Sequence, residues 1–263
     1  MFKTLLFWQF SNVSLYQPGT KFKYSNAGWS LLAAAVEAVE GAPYHKVLND
    51  FLRKMGMKKA QQDDRREVIE NRGLQYSSTV NEKGVFHLHP APITDHLRPF
   101  PFWPAAGKRL SILFKTKFTS VCFFLLPGII STVEDLLIFG GSVLRSANSW
   151  SGGHLKPATV HDLWSFSPKV AEGNQSMTIE GHHYSVPHHY ALGWYRLVFP
   201  ATTSDSKLAH LEMLYHVGNV GGANSILAVL PKENVVLAAI SNLGGIKQYM
   251  PEIAVEMYRI LRQ

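Results

Sequence analysis

The sequence predicts an α+β fold, and three observations carry that prediction. Apolar residues recur at helical spacing in the first half of the chain. The last third switches to apolar runs of strand length joined by short turns, and an amphipathic helical pattern closes the chain. Helices first, then successive strands, then a terminal helix implies an antiparallel sheet flanked by helices.

The first helix is announced by Tyr24-Ser25-Asn26, which precedes the apolar pattern Trp29 to Val39, and Gly41 closes it. A second pattern runs from Tyr44 to Met55 and ends at Gly56, before the polar "QQDDRREVIENRG". Between Leu74 and His89 the alternation predicts a hairpin with Asn81 to Gly84 as its turn. Residues 90 to 107 are rich in proline and predict irregular backbone. "STVEDLLIFGGSVLRS" opens on Ser131-Thr132, with Glu134 three residues after Ser131, and reads as a helix despite Gly140-Gly141. "LKPATVHDLWS" is another helix, started by proline. "YALGWYRLVF", "LEMLYHVG", "SILAVLP" and "VVLAAISN" read as strands, and "YMPEIAVEMYRILRQ" as the closing helix. No internal repeat is visible.

Composition is that of a globular chain: 46% hydrophobic and 17% charged over 263 residues, enough for one large domain. The excess of 26 Lys+Arg over 19 Asp+Glu is spread along the chain, so no basic run marks a nucleic-acid partner. A single cysteine, Cys122, excludes an internal disulfide and a cysteine-based metal set. A reducing compartment or a mitochondrion fits that usage better than secretion. "MFKTLLFWQF" lacks a small-residue cleavage site, and "SILFKTKFTSVCFFLL" carries two lysines and is short for a span, so no transmembrane segment is predicted.

Two elements carry candidate chemistry. A tyrosine at a helix-proximal turn with an asparagine two residues on presents both side chains to one cleft; the alternative is that Ser25 or Asn26 caps the helix while Tyr24 packs. A phenol is a poor base at pH 7 and becomes useful where neighbouring cations stabilise the phenolate. "YHVGNVGGANSILAVLP" places His216 at a strand end before glycines, giving an imidazole and backbone N–H groups able to hold a carbonyl oxygen; the alternative is a glycine-rich hairpin turn. The histidines of "GHHYSVPHH" (His182, His183, His188, His189) have no interleaved Cys or carboxylate, so a solvated loop is preferred over a metal site. No metal or cofactor is predicted.

In this order and separation the elements resemble the serine β-lactamase and penicillin-binding-protein family, whose motifs are Ser-x-x-Lys, Tyr-x-Asn and Lys-Thr-Gly or His-x-Gly. "QPGTKFKYSNAGWSLL" is similar to the second motif with its approach, and His216-Val217-Gly218 to the third. The likeness continues through "NRGLQYSSTVNEKG", "STVEDLLIFG", "HLKPATV", "YALGW" and "SILAVLP", and is closest to the animal mitochondrial β-lactamase-like serine proteins. The resemblance implies that Tyr24 relays a proton and that Asn26 orients a substrate amide. It also implies that His216 stands where a cation polarises the site, and that Gly218 and Asn219 supply backbone to substrate and oxyanion. Val217 stands where threonine is common and removes a hydroxyl able to hold a substrate carboxylate.

The larger departure is an absence. The family's Ser-x-x-Lys sits on a helix well before Tyr-x-Asn, with the lysine one turn from the serine and on its side. Residues 1 to 23 hold no such pattern, and the sole match, Ser204-Asp205-Ser206-Lys207, follows Pro200 in a polar link and reads as a surface loop. Residues 1 to 16 read as non-family sequence, and Lys108 to Gly128 as an insertion between "WPAAG" and "IISTVEDLL". The expectation is a partial, N-terminally truncated domain over 17 to 263, without the N-terminal strands and nucleophile helix. Two functions follow from the resemblance. One is the C-terminal part of a serine hydrolase for peptide- or amide-like substrates, inactive as written. The other is a non-catalytic mitochondrial protein that forms a homo-oligomer or filament, or binds a partner, in metabolic regulation.

Overall fold

The structure, a computed structural model, describes residues 17, 20, 22–63, 68–81, 83–91, 128–165 and 172–263. The expected non-family segment 1–16 and the 108–128 insertion, apart from Gly128, lie outside the described residues.

Helix α1 (Asn26–Glu40) starts where Ser25 takes an extended backbone and its hydroxyl oxygen accepts from the Gly28 N–H at 3.0 Å. It stops at Gly41, whose φ of 64° is left-handed and whose N–H donates to the Glu37 carbonyl. Helix α2 (Tyr44–Lys54) contacts α1, and the Tyr44 N–H donates to Oε1 of Glu37 at 2.6 Å. After the short β1 (Gln61–Gln62), the expected hairpin forms from β2 (Tyr76–Val80) and β3 (Phe86–Pro90). Its turn is fixed by Asn81, whose Oδ1 accepts from the Lys83 and Val85 N–H groups at 3.0 and 2.9 Å. The short β4 (Ile129–Ile130) pairs back on β1.

Helix α3 (Val133–Ala147) is capped by Thr132, whose Oγ1 accepts from the Asp135 N–H at 3.3 Å. Gly140 within it answers a packing need. A Cβ there would lie 2.6 Å from Cγ1 of Val236 and 2.9 Å from Cδ1 of Leu227, so the bare backbone lets α3 approach the sheet. Helix α4 (Pro157–Trp164) follows, with proline in its first turn.

The remainder is a six-stranded antiparallel meander: β5 (Glu172–Ile179), β6 (His182–Tyr190), β7 (Tyr195–Val198), β8 (Glu212–Val220), β9 (Ala223–Leu230) and β10 (Val235–Ser241), with neighbours in space also neighbours in sequence. Helix α5 (Met250–Leu261) closes the chain. The histidine-rich run is a correction to the sequence reading: it is strand β6, paired with β5 from His182 to His189, and not a loop. The physical reason is its alternation. Val186 and Tyr190 are buried, whereas His182, His183 and Ser185 face solvent, and Gly181 makes the tight turn with a φ of 78°.

Strands β8 to β10 read as nearly continuous apolar runs because both faces of the sheet are covered. Met213, Tyr215, Ile226, Ala228, Leu230 and Leu237 pack with Ala254, Val255 and Tyr258 of α5. The alternate residues Leu214, Leu227, Val229 and Ala238 pack with Val143 and Leu144 of α3 and Val160 of α4. Each fully buried side chain of this size stabilises by about 1.5–3 kcal/mol. A smaller cluster of Leu52, Met55, Met57 and Ala60 joins α2 to Ile138 and Phe139 of α3. Among the described residues no helix is long and apolar enough to cross a membrane.

Candidate active site

Tyr24 lies immediately before the α1 cap, and Ser25 performs the capping, so the capping role and the tyrosine belong to different residues. The Tyr24 ring is half exposed and meets the Tyr190 ring edge-on, with centroids 6.4 Å apart. Phe22 flanks the same ring at 4.8 Å. Tyr190 ends β6, and its hydroxyl is 3.3 Å from Nε2 of His216 on β8. Tyr195, opposite Tyr190 in the ladder, closes the cluster with centroids 4.6 Å from Tyr190 and 5.9 Å from His216. Two of the residues picked from sequence, Tyr24 and His216, are thus joined through a third that was not picked.

The turn between β6 and β7 holds this arrangement. The Leu192 N–H donates to the Leu163 carbonyl of α4, and the Ala191 N–H to that of Trp194. Gly193 has a φ of 81°, and a Cβ on it would lie 3.6 Å from Cη2 of Trp29 in α1. Asn26 stands at the first turn of α1, exposed to solvent. Its carbonyl accepts from the Ser30 hydroxyl at 3.2 Å.

Burial sets the protonation of the cluster. The Tyr190 phenol is pushed up to about 12 by burial and by its neighbours Tyr24 and Tyr195. Burial first, then Tyr24, raises Tyr195 in the same direction. The His216 imidazole is held below its ordinary value by burial and by the Lys247 ammonium, against an opposing hydrogen bond with the Val217 backbone. Its ring is therefore neutral at pH 7.

Beyond His216, Gly218 and Asn219 lead to the Gly221-Gly222 turn. β7 pairs with β8 only from Glu212 to Tyr215, so Val217, Gly218 and Asn219 have β9 on one side and no β7 neighbour on the other. Asn219 to Gly222 line a groove of about 410 Å³ together with Ser77 and Ser78 of β2 and Gly244 and Gly245. Beside it the Tyr76 N–H donates to the Asn242 carbonyl at 2.8 Å and the Gly244 N–H to the Tyr76 carbonyl at 2.7 Å. Gly222 is required there, since a Cβ on it would sit 2.4 Å from that of Ala91. Among the described residues, no three His, Cys, Asp or Glu side chains converge to hold a metal ion.

Ser204 and Lys207 stand elsewhere, both exposed on a run of turns between β7 and β8. The intervening Asp205 accepts from Nε of Arg259 at 2.8 Å and from the Lys207 N–H at 2.9 Å, which makes this segment a tether for α5.

Fold and motif order together define a serine β-lactamase or penicillin-binding-protein type of chain. Residues 11–257 match the family model described as Beta-lactamase, and the chain belongs to that family. Among curated relatives, the human "Serine beta-lactamase-like protein LACTB, mitochondrial" is 29% identical over 227 residues, covering 83% of this chain and 34% of the relative. The chain thus spans about a third of the length of the curated relatives it matches. The octameric penicillin-binding protein homologue from Pyrococcus abyssi superposes with a TM-score of 0.59 at 16% identity, over 94% of this chain and 44% of that one. A class C β-lactamase from Rhodobacter sphaeroides gives 0.54 at 15% identity, over 95% and 63%. At such identities these structures establish the fold alone.

Proposed function

We propose that this chain carries the Tyr-x-Asn and His-x-Gly parts of an acyl-transfer site, in a β-lactamase-related serine hydrolase that cleaves amide or peptide-like bonds. The observation that supports it most is the bridge from Tyr24 through Tyr190 to His216, which gathers the two motifs around one cluster. In this reading Tyr24 relays a proton to and from the nucleophile and leaving group, and Asn26 orients the substrate amide. Successive N–H groups along an antiparallel strand point to opposite sides, so Gly218 and Asn219 direct one N–H to β9 and one to the side that β7 leaves open. We assign the open-side N–H to Asn219, as half of an oxyanion hole.

The nucleophile is the part these residues do not supply. Ser-x-x-Lys occurs in the 263 residues only at Ser204 to Lys207, and that pair is exposed on turns with Asp205 bound to Arg259. The chain as it stands therefore forms no acyl-enzyme. A fluorophosphonate or penicillin probe is expected to leave the purified protein without specific label; labelling that disappears in Ser204→Ala would overturn both the inactivity and the reading of that turn.

One observation favours a second reading, self-association or partner binding without catalysis. Along α1 the side chains of Trp29, Leu32, Val36 and Val39 are exposed at spacings of three and four, which places an apolar stripe on one face of the helix. The relatives' names support a mitochondrial location for this protein, where the resemblance implies a role in metabolic regulation.

A further inference from the structure

We infer that Tyr190 is a positioning residue for His216: its hydroxyl donates to Nε2 and fixes the imidazole as the tautomer that carries its proton on Nδ1. The inference rests on the proposed acyl-transfer reading for its purpose, though not for its geometry. Tyr190 and His216 come from strands that are not neighbours in the sheet, and β7 stops between them at Tyr195, so the 3.3 Å contact spans the gap where the β7–β8 pairing ends.

The direction of the hydrogen bond follows from what each group is able to do. An imidazole nitrogen that reaches the adjacent backbone is Nδ1, because Nε2 lies on the far side of the ring. The Val217 backbone favours the protonated form of His216, the direction expected of a carbonyl that faces a ring N–H. Nδ1 therefore bears the proton, and Nε2 of the neutral ring accepts. The Tyr190 phenol keeps its proton at any pH near neutrality and is the donor. Among the described residues the titratable and charged groups around the ring are Tyr190 of β6, Tyr195 of β7 and Lys247 beyond β10, with Tyr24 reached through Tyr190.

The consequence concerns what the site offers a substrate. With Nε2 covered by Tyr190 and the ring neutral, His216 presents no charge and no Nε2–H to a substrate. Val217 adds no hydroxyl. A substrate carboxylate is left without the partners that a cationic side chain and a threonine would provide, and Tyr190 acts by holding the neutral His216 ring in one orientation.

The test needs no turnover, so it separates this inference from the catalytic reading. Long-range ¹H–¹⁵N spectra of the whole chain labelled at histidine, with the His216 signals identified from their loss in His216→Gln, report tautomer and titration midpoint. At pH 7.5 the native protein is expected to show protonated Nδ1 and bare Nε2 at His216. In Tyr190→Phe, which keeps the ring and its burial, the midpoint is expected to rise by roughly half a unit or more, because the donor that favoured the neutral form is gone. A native His216 protonated on Nε2 would overturn the inference even if the variant does not fold. So would an unchanged tautomer and midpoint in Tyr190→Phe.

Discussion

His216 and His188 are both held below the ordinary histidine value, in each case mainly by burial, and that makes a prediction about pH. A histidine depressed in the folded state binds its proton more readily when unfolded, so its contribution to stability is complete above the unfolded value of about 6.5 and is lost as pH falls below it. Stability measured by urea denaturation should therefore decline between pH 7.5 and 5.5, before the carboxylates titrate. The double variant His188→Gln/His216→Gln should flatten that slope; an equal slope in the variant would contradict the assignment. At this scale the sequence was partly legible. Tyr24 and His216 were picked because their spacing to asparagine and glycine is a motif. Tyr190 was quoted within "YALGW" but carried no local signal of its role, since its partner His216 is 26 residues away and only the folded sheet brings their side chains together.

Elements were legible wherever one face or one cap decided them. The ends of α1, the Asn81 turn and the proline start of α4 follow from side chains within four residues, and each formed as expected. Strand β6 was missed because histidine and proline mask its alternation, and because its pairing with β5 was not foreseen. The paired glycines of α3 looked like a weakness in a helix, and the fold gives them different meanings. Gly140 faces Val236 and Leu227 at distances no Cβ tolerates, whereas a Cβ at Gly141 meets the flexible Arg145 guanidinium, with Nη1 at 3.2 Å. Gly140→Ala is expected to destabilise by about 1–3 kcal/mol through overpacking, less the gain in helix propensity. Gly141→Ala is expected to be neutral or to stabilise by up to about 1 kcal/mol. Chemical denaturation of the two variants decides the matter, and equal effects would contradict the packing described for α3.

At the scale of the whole molecule, a meander of six strands covered by α5 on one face and by α3 and α4 on the other accounts for the switch from helical to strand period along the chain. The apolar stripe of α1 and the exposed Val80, Phe86 and Leu88 of the β2–β3 hairpin are among its exposed apolar surfaces. Concentration-dependent association is expected in sedimentation velocity, and Leu32→Glu/Val36→Glu should weaken it; a monodisperse monomer at every concentration would speak against the association reading.

The central claim, that Tyr24, Asn26 and His216 belong to an acyl-transfer site, is tested most directly by supplying what the chain does not carry. A segment bearing Ser-x-x-Lys from a complete relative, fused at Gln17, would bring a nucleophile and a base to the cluster. The account predicts that a folded fusion hydrolyses a simple amide reporter, and that Tyr24→Phe within it lowers turnover on the order of a hundredfold or more, the scale for a positioned acid–base group. A folded fusion without hydrolysis, or one in which Tyr24→Phe retains full activity, would contradict it.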